Sequence, residues 1–350
     1  MTGQLRLETR SYAAALWRRL AMGMPILTLL ILAFSLFDGA ISLARAAEVP
    51  DYPSRAIRII VGFAAGGAPD ALARIIGEKL AEAWGQSVIV ENRVGAQGNI
   101  AMSAVAKAAR DGYTLAVVPI GNAAINPVLF SKLPYDPVKD FAPVTQIATV
   151  ENVLVVSGKS AIRTVQDLIA LGRSKTAHVT YATPGAGSLA HLAAEMLARA
   201  GGFEMTHVGY RGVAAALTDV LRGEVTMTVA QLSTAKPYID NGQLRALGVA
   251  SKERSAVLPN VPTIAEAAGI PDFEAVSWYG LMAPAGTPEA ILRKLYAEVA
   301  RVIQLPDVKA GLEGQGAKPV GSTPAELAAV IAADMARWSR VIREANIQVK

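Results

Sequence analysis

Two glycine-rich segments, each between a predicted strand and a predicted helix, hold the residues best suited to bind a ligand. Residues 64–70 follow the apolar run 56–63, and residues 183–188 follow the short run 179–182. Glycine lets backbone N–H groups approach a ligand, and a helix N-terminus carries partial positive charge, so such segments bind anions. One such segment often serves only tight packing. Two in matching positions favour a single anion site held from both sides.

Neither segment is a nucleotide-binding motif. The sequence lacks G-x-x-x-x-G-K-[ST], and neither Gly66-Gly67 nor Gly185-x-Gly187 has the third spaced glycine of a dinucleotide fingerprint. It also lacks a G-x-S-x-G nucleophile pattern and cysteine, and its 3 histidines do not pair at metal-binding spacing. We therefore expect no enzyme activity, no organic cofactor, no metal site and no disulfide.

Four further side chains each allow two interpretations. His191 follows the expected helix N-cap Ser188; it either contacts a ligand carboxylate or is a partly buried helix residue, and we favour the second. Asp70 is equally well a ligand contact or an acid placed in the first helical turn by the helix dipole. Trp278 and Tyr279 either line the cleft or belong to the core, and the core is favoured.

Strand and helix patterns alternate along the chain, which predicts an α/β fold with largely parallel sheets. The 350 residues suffice for two lobes, with one strand–glycine–helix unit in each. We predict lobe 1 as residues 47–150 with 272–350, and lobe 2 as 151–271, the C-terminal helices covering lobe 1. The predicted strands are 56–63, 87–90, 114–119, 179–182, 208–211, 225–229 and 244–250. Two predicted helices begin at residues 69 and 189, and the others span 99–109, 288–305, 306–314 and 324–346. Residues 258–271 are predicted to be irregular.

The N-terminus has the layout of a secretory signal peptide. Arg18-Arg19 precede the apolar run 25–37, and the small-x-small site Ala44-Arg45-Ala46 places cleavage after Ala46, so residues 1–46 would be removed. The alternative is an uncleaved anchor, although the run is short for a membrane span. The remaining chain keeps 29 of the 34 basic and 27 of the 29 acidic residues, scattered without a basic run. The scattered charge excludes a nucleic-acid footprint. The signal peptide predicts a periplasmic protein.

Several ordered motifs make the chain, from Tyr52 to the C-terminal helix, resemble the extracytoplasmic solute receptors of tripartite tricarboxylate transporters, the Bug family. The motifs are Val90-Glu91-Asn92-Arg93, Gly98-Asn99, Asp111-Gly112-Tyr113-Thr114-Leu115, Ile125-Asn126-Pro127, Leu133-Pro134-Tyr135-Asp136-Pro137, Asp140-Phe141-Ala142-Pro143, Tyr210-Arg211-Gly212, Leu258-Pro259-Asn260-Val261-Pro262-Thr263 and Ala283-Pro284-Ala285-Gly286-Thr287-Pro288.

The resemblance implies a two-lobed, type II periplasmic binding protein of the Venus-flytrap kind, which closes on a carboxylate and delivers it to a membrane permease. In the family the ligand carboxylate is held by the loop after the first strand, largely through backbone amides and ordered water. A loop of the second lobe and two further loops complete the wall. Carried over, the substrate-binding residues are Phe63, Ala65, Gly66, Gly67, Ala68, Asp70, Gly121, Asn122, Thr183, Gly185, Ala186, Gly187, Ser188 and Gln231.

Three departures from the family pattern bear on the ligand. Ala65 replaces a usual proline, Pro69 stands where threonine is common, and Ala230 stands where an acid is often found. Without that acid the site lacks a partner for an α-ammonium group. We therefore expect a small carboxylate without an amine, such as a di-acid or an aromatic acid.

We expect a monomeric receptor whose partners are a small organic carboxylate and the subunits of a tripartite permease. A bulky residue at Gly67 or Gly187 should weaken ligand binding strongly. The alternative is a receptor that presents its closed, loaded form to a membrane sensor instead of a permease, which the sequence does not separate from the first hypothesis.

Overall fold

Residues 51–174, 178–210 and 212–347 are described by the structure, a computed structural model. The predicted signal peptide, residues 1–46, lies outside these ranges. Within them, no helix has both the length and the apolar character that a membrane span requires. The described chain forms two β-sheets with helices packed on them.

Sheet 1 has six strands, and its central strands are buried. β1 has the sequence IRIIV, with four of its five residues buried, as β-branched residues favour in a sheet covered on both faces. β1 pairs in parallel with β2 and β3, whereas β10 runs antiparallel between β3 and β4. The order is β11-β4-β10-β3-β1-β2, with β1 Ile57–Val61, β2 Val88–Asn92, β3 Thr114–Pro119, β4 Phe141–Val150, β10 Ser277–Pro284 and β11 Ala317–Pro319.

Sheet 2 has five strands and repeats the plan of sheet 1. β6 pairs in parallel with β7 and β8, and β5 runs antiparallel between β8 and β9. Three parallel strands followed by an antiparallel one therefore occur in both sheets. The order is β7-β6-β8-β5-β9, with β5 Asn152–Ser157, β6 Thr180–Thr183, β7 Thr206–Gly209, β8 Met227–Gln231 and β9 Leu244–Val249.

Capping residues set the ends of several helices. α1 follows a glycine N-cap and stops at Gly85 in the left-handed conformation, and α5 starts at Ser188, whose side chain accepts the His191 N–H. The C-terminal helices α9, α10 and α11 pack on β4 and β11 of sheet 1. The described helices are α1 Ala68–Trp84, α2 Asn99–Ala106, α3 Asn126–Leu129, α4 Val165–Arg173, α5 Leu189–Gly201, α6 Val213–Arg222, α7 Leu232–Asp240, α8 Ile264–Ala268, α9 Glu289–Ile303, α10 Pro306–Gly314 and α11 Pro324–Glu344, with a π-helical turn at Gly121–Ile125 and a 3₁₀ turn at Ala96–Gly98.

The chain passes between the sheets at Glu151 and again before β10, and a single side chain ties these two passages together. Asn152 Nδ2 donates to the carbonyl oxygen of Ala275 at 2.6 Å and lies 3.2 Å from Ser277 Oγ. Its own carbonyl accepts the Ala250 N–H at 2.8 Å. The predicted lobe boundaries at 150/151 and 271/272 stay predictions.

One predicted segment was wrong. Residues 258–271 were expected to be irregular, but they contain α8, which begins at a capping box: Thr263 Oγ1 accepts the Glu266 N–H and the Glu266 carboxylate accepts the Thr263 N–H. The predicted helix 99–109 is shorter and ends at Ala106.

Candidate functional site

A cavity of about 430 Å³ lies where the loops of the two sheets meet. Sheet 1 contributes the loops after β1 and β3, and sheet 2 contributes the loop after β6 and the end of β8. These are carboxyl ends of parallel strands, the usual ligand position in open α/β sheets. The described lining residues are Phe63, Ala68, Pro69, Gln97, Pro119–Ile120, Gly121, Asn122, Ile125, Asn126, Asn152, Pro184–Ala190, Val213, Ala216, Leu217, Thr228, Val229, Ala230, Gln231, Ser277, Trp278 and Tyr279.

The predicted site residues divide into two groups. Those that line the cavity are Phe63, Ala68, Gly121, Asn122, Gly185, Ala186, Gly187, Ser188 and Gln231, and those that do not are Ala65, Gly66, Gly67, Asp70 and Thr183. Contact of either group with a ligand stays a prediction. None of the described lining residues carries a formal charge, so backbone dipoles and neutral polar groups dominate the electrostatics of the wall.

Asp70 turns its carboxylate into the protein. It is 2% exposed and accepts the Gly66 N–H at 2.9 Å and Asn92 Nδ2 at 2.9 Å. Arg74, one turn further along α1, donates to the same carboxylate at 3.0 and 3.1 Å. The Arg74 hydrogen bond is the largest influence that lowers the Asp70 pKa to about 2. Asp70 is thus engaged with protein groups, and the Gly66 N–H has an acceptor already.

His191 plays the corresponding part in the second loop. Its Nδ1 accepts the Gly187 N–H at 2.9 Å, and its ring stacks on His207 with centroids 4.1 Å apart and planes 8° apart. Burial, and then the charge of a protonated His207, lower the His191 pKa to about 4, so the ring is neutral and able to accept. His191 is buried and lies behind the wall, in agreement with the favoured interpretation.

Thr183 joins the same arrangement from the end of β6. Its Oγ1 lies 2.6 Å from His207 Nε2 and accepts the Gly185 N–H at 3.2 Å. The histidine pair therefore reaches both glycines of the loop, Gly187 directly and Gly185 through Thr183.

The N-termini of α1 and α5 both open onto the cavity. Ala68 and Pro69 of the first turn of α1 line it, and so do Leu189 and Ala190 of the first turn of α5. The Gly67 N-cap of α1 has no side chain to satisfy the first N–H groups. Among the described residues, the N–H groups of Ala68 and Ala186 have no protein acceptor and are available to an anion.

A buried cluster of amide side chains supports the part of the cavity wall formed by Asn122 and Asn126. Asn99 Oδ1 accepts from Asn126 Nδ2 at 2.8 Å, from Asn122 Nδ2 at 3.1 Å and from the Tyr135 hydroxyl at 3.1 Å. The Tyr135 hydroxyl has a single proton, which Asn99 Oδ1 shares with the Asn122 carbonyl oxygen 2.9 Å from the hydroxyl oxygen. Asn126 and Asn99 were absent from the predicted site, although the motifs Gly98-Asn99 and Ile125-Asn126-Pro127 had singled them out.

Trp278 and Tyr279 belong to both the core and the cavity. Each is at most 5% exposed, and each lines the cavity, so the two interpretations are compatible. Trp278 Nε1 donates to Asp334 Oδ2 at 2.7 Å. The Tyr279 hydroxyl accepts from Gln231 Nε2 at 3.1 Å, a hydrogen bond between sheet 1 and sheet 2. Within the described ranges, no group of three His, Cys, Asp or Glu side chains is arranged to hold a metal ion.

Comparison with known proteins identifies what this architecture is similar to. The family model described as "Tripartite tricarboxylate transporter family receptor" matches residues 72–347. The protein BugT of Bordetella pertussis is 34% identical over 328 residues, covering 93% of this chain and 99% of BugT. A Pseudomonas sp. (strain P51) protein from the tcbD-tcbE intergenic region is 39% identical over 303 residues, covering 87% of this chain and 90% of that protein.

Solved structures give the same result. The R. palustris protein Rpa4515 with adipate is 38% identical, with a TM-score of 0.76, and the match covers 85% of this chain and 99% of that one. MatC from Rhodopseudomonas palustris with bound malate is 35% identical, with a TM-score of 0.71, over 83% of this chain and 99% of that one. The two-lobed periplasmic binding protein fold predicted from the sequence is thereby confirmed, and this chain belongs to the tripartite tricarboxylate transporter receptor family.

Proposed function

We propose that this protein is a periplasmic solute-binding receptor that captures a small organic carboxylate between two lobes and delivers it to a tripartite membrane permease. Carboxylate binding in the periplasm follows from the family and from relatives solved with adipate and malate. We further propose delivery to a permease, a division into lobes at 150/151 and 271/272, and the ligand contacts given above.

The observation that carries the proposal is the convergence of two helix N-termini on one uncharged cavity. Helices α1 and α5 belong to different sheets, yet both open onto the same 430 Å³ volume. Each N-terminus presents partial positive charge and unpaired N–H groups. A carboxylate placed there gains charge-assisted hydrogen bonds, and a ligand that reaches both helices favours the closed state over the open one.

The residues of the cavity wall also favour a ligand acid that lacks an amine. Ala230 lines the cavity and is buried, and the described lining offers no carboxylate to pair with an ammonium group. Burying an unpaired ammonium group there would be costly. Apolar side chains such as Ile125, Leu189 and Trp278 surround the rest of the volume. We therefore propose a di-acid or an aromatic acid as the ligand.

A thermal-shift screen followed by calorimetric titration tests the proposed function. The panel compares adipate, malate and benzoate with 6-aminohexanoate and glutamate, which carry an amine. A ligand that binds the folded state raises the melting temperature by mass action, so an amine-free acid should raise it most. No shift with any carboxylate would contradict the receptor function, and tighter binding of the amino acids would contradict only the ligand class.

A further inference from the structure

The two glycine loops share a local device that the sequence does not make evident. In each loop a glycine N–H is accepted by a side chain four residues later, in the first turn of the following helix: Gly66 by Asp70 and Gly187 by His191, both at 2.9 Å. Both glycines have positive φ, +84° for Gly66 and +76° for Gly187. The chain therefore turns back on the helix start in the same way in both sheets.

Each accepting side chain is itself held in place by neighbouring side chains. Arg74 and Asn92 hold the Asp70 carboxylate, while the His207 ring stacks on His191. Neither Asp70 nor His191 lines the cavity. Their contact is with the backbone of the loop, and the cavity is formed by the residues that follow or flank the tied glycine, Ala68 and Ala186 among them.

We propose, on the basis of the receptor function proposed above, that His191 and Asp70 are matched positioning residues, each of which holds its glycine loop so that the neighbouring free N–H groups face the ligand carboxylate. Glycine has more backbone freedom than any other residue, so an untied loop would have to be ordered by the ligand at a cost in affinity. Tying the glycine in the ligand-free protein removes that cost in advance.

The His191–Gly187 pair offers the sharper test, because two substitutions of His191 distinguish the loss of the hydrogen bond from a change in packing. In His191→Asn a side-chain oxygen can stand near the position of Nδ1 and still accept the Gly187 N–H. His191→Leu fills similar space without an acceptor. The two variants therefore differ chiefly in the hydrogen bond, which a merely structural role of the ring would not distinguish.

The first measurement is amide hydrogen exchange by NMR on the ligand-free protein, read at Gly187 with Gly66 as the internal control. A lost buried hydrogen bond should speed exchange at Gly187 by about ten-fold or more in His191→Leu. We expect His191→Asn to stay close to wild type, and Gly66 to be unchanged in both variants. Equal protection of Gly187 in wild type and His191→Leu would overturn the proposal.

The second measurement is calorimetric titration with adipate at neutral pH. We expect affinity to fall about ten-fold in His191→Leu and to be largely restored in His191→Asn. Equal affinity in all three proteins would overturn the link between the loop and the ligand. Failure of wild type to bind adipate would count against the proposed function for this acid, while the exchange measurement would still decide the positioning role.

Discussion

Gly187 occupies a position that a larger residue can take only by displacing another part of the protein. A Cβ atom there would lie 2.1 Å from Leu129 Cδ2, and the backbone has a φ of +76°. Leu129 lies on α3, which packs against the π-helical turn after β3 and against α11, so this is a close approach between the loop after β6 of sheet 2 and elements that pack around sheet 1. The sequence-based expectation that glycine here serves ligand access was incomplete, because the Gly187 N–H is already bonded to His191.

Gly187→Ala should therefore be much more disruptive than Gly67→Ala. Gly67 has φ −77°, and the nearest atom to a Cβ there is at an ordinary 3.4 Å. Left-handed strain and the collision with Leu129 should cost Gly187→Ala about 1–3 kcal/mol of unfolding free energy. Gly67→Ala should cost less than about 1 kcal/mol. Urea denaturation measures both values, and equal costs would show that the contact with Leu129 is readily relieved.

Residue types alone located the loops but did not reveal the role of each side chain. Gly-rich turns before helices are visible as patterns, and Ala68, Ala186 and Ser188 line the same cavity, while their contact with a ligand stays a prediction. Asp70 was weighed as a ligand contact because an acid in a first helical turn has no visible partner in sequence. Its partner Asn92 comes from β2, and such long-range pairing is set by sheet register.

His191 on α5 is the group whose protonation should be most visible in the pH dependence of the unfolding free energy. His191 on α5 is faced by His207 on β7 and by Tyr181 on β6, and Glu195, one turn further along α5, accepts from the Tyr181 hydroxyl and acts electrostatically on His207. The folded-state pKa of His191, about 4, lies below its ordinary value of 6.5. Between these values the unfolded chain binds more protons than the folded protein, so stability should fall as pH drops from about 6.5 to about 4.

His191→Asn should remove this part of the pH dependence. We expect the unfolding free energy of wild type to decline by about 1–3 kcal/mol more than that of the variant between pH 7 and pH 4. His207 and the carboxylates titrate in both proteins, so their contributions largely cancel in the difference. Urea denaturation at both pH values gives the comparison, and parallel declines would contradict a neutral, hydrogen-bonded His191.

Some elements with a regular apolar pattern were predicted, whereas others of the same kind, such as α6 Val213–Arg222 and β5 Asn152–Ser157, were missed along with elements that contradict local propensity. β3 and α10 have the predicted bounds, Thr114–Pro119 and Pro306–Gly314. β4 was missed because Pro143 interrupts it, and the strand accommodates this proline where its register with β10 shifts. α7 was missed for a similar reason, since Pro237 lies inside the helix. Tertiary packing overrides propensity at both places.

The whole molecule brings two sheets together around one cavity, and the Gln231–Tyr279 hydrogen bond is one direct link between them. Tyr279→Phe removes the hydroxyl that accepts from Gln231 Nε2 and leaves the ring in place. One lost hydrogen bond of about 1 kcal/mol should lower the affinity for a bound acid about five-fold, because the arrangement in which the two sheets meet around the cavity loses this stabilisation. Calorimetric titration measures this effect.

Tyr238→Phe is the matched control, because Tyr238 lies on α7 outside the cavity lining. We expect this control to bind as wild type does. Equal affinity of Tyr279→Phe and wild type would indicate that the link between the sheets does not contribute to ligand capture.

We propose that one carboxylate ligand is held by the helix starts of both sheets. A crystal structure with the tightest acid of the panel would show whether it is. We expect ligand oxygens within hydrogen-bond distance of the N–H of Ala68 or its neighbours at the start of α1, and of Ala186 or its neighbours at the start of α5. A ligand that contacts only one of these loops, or that lies outside the cavity, would contradict it.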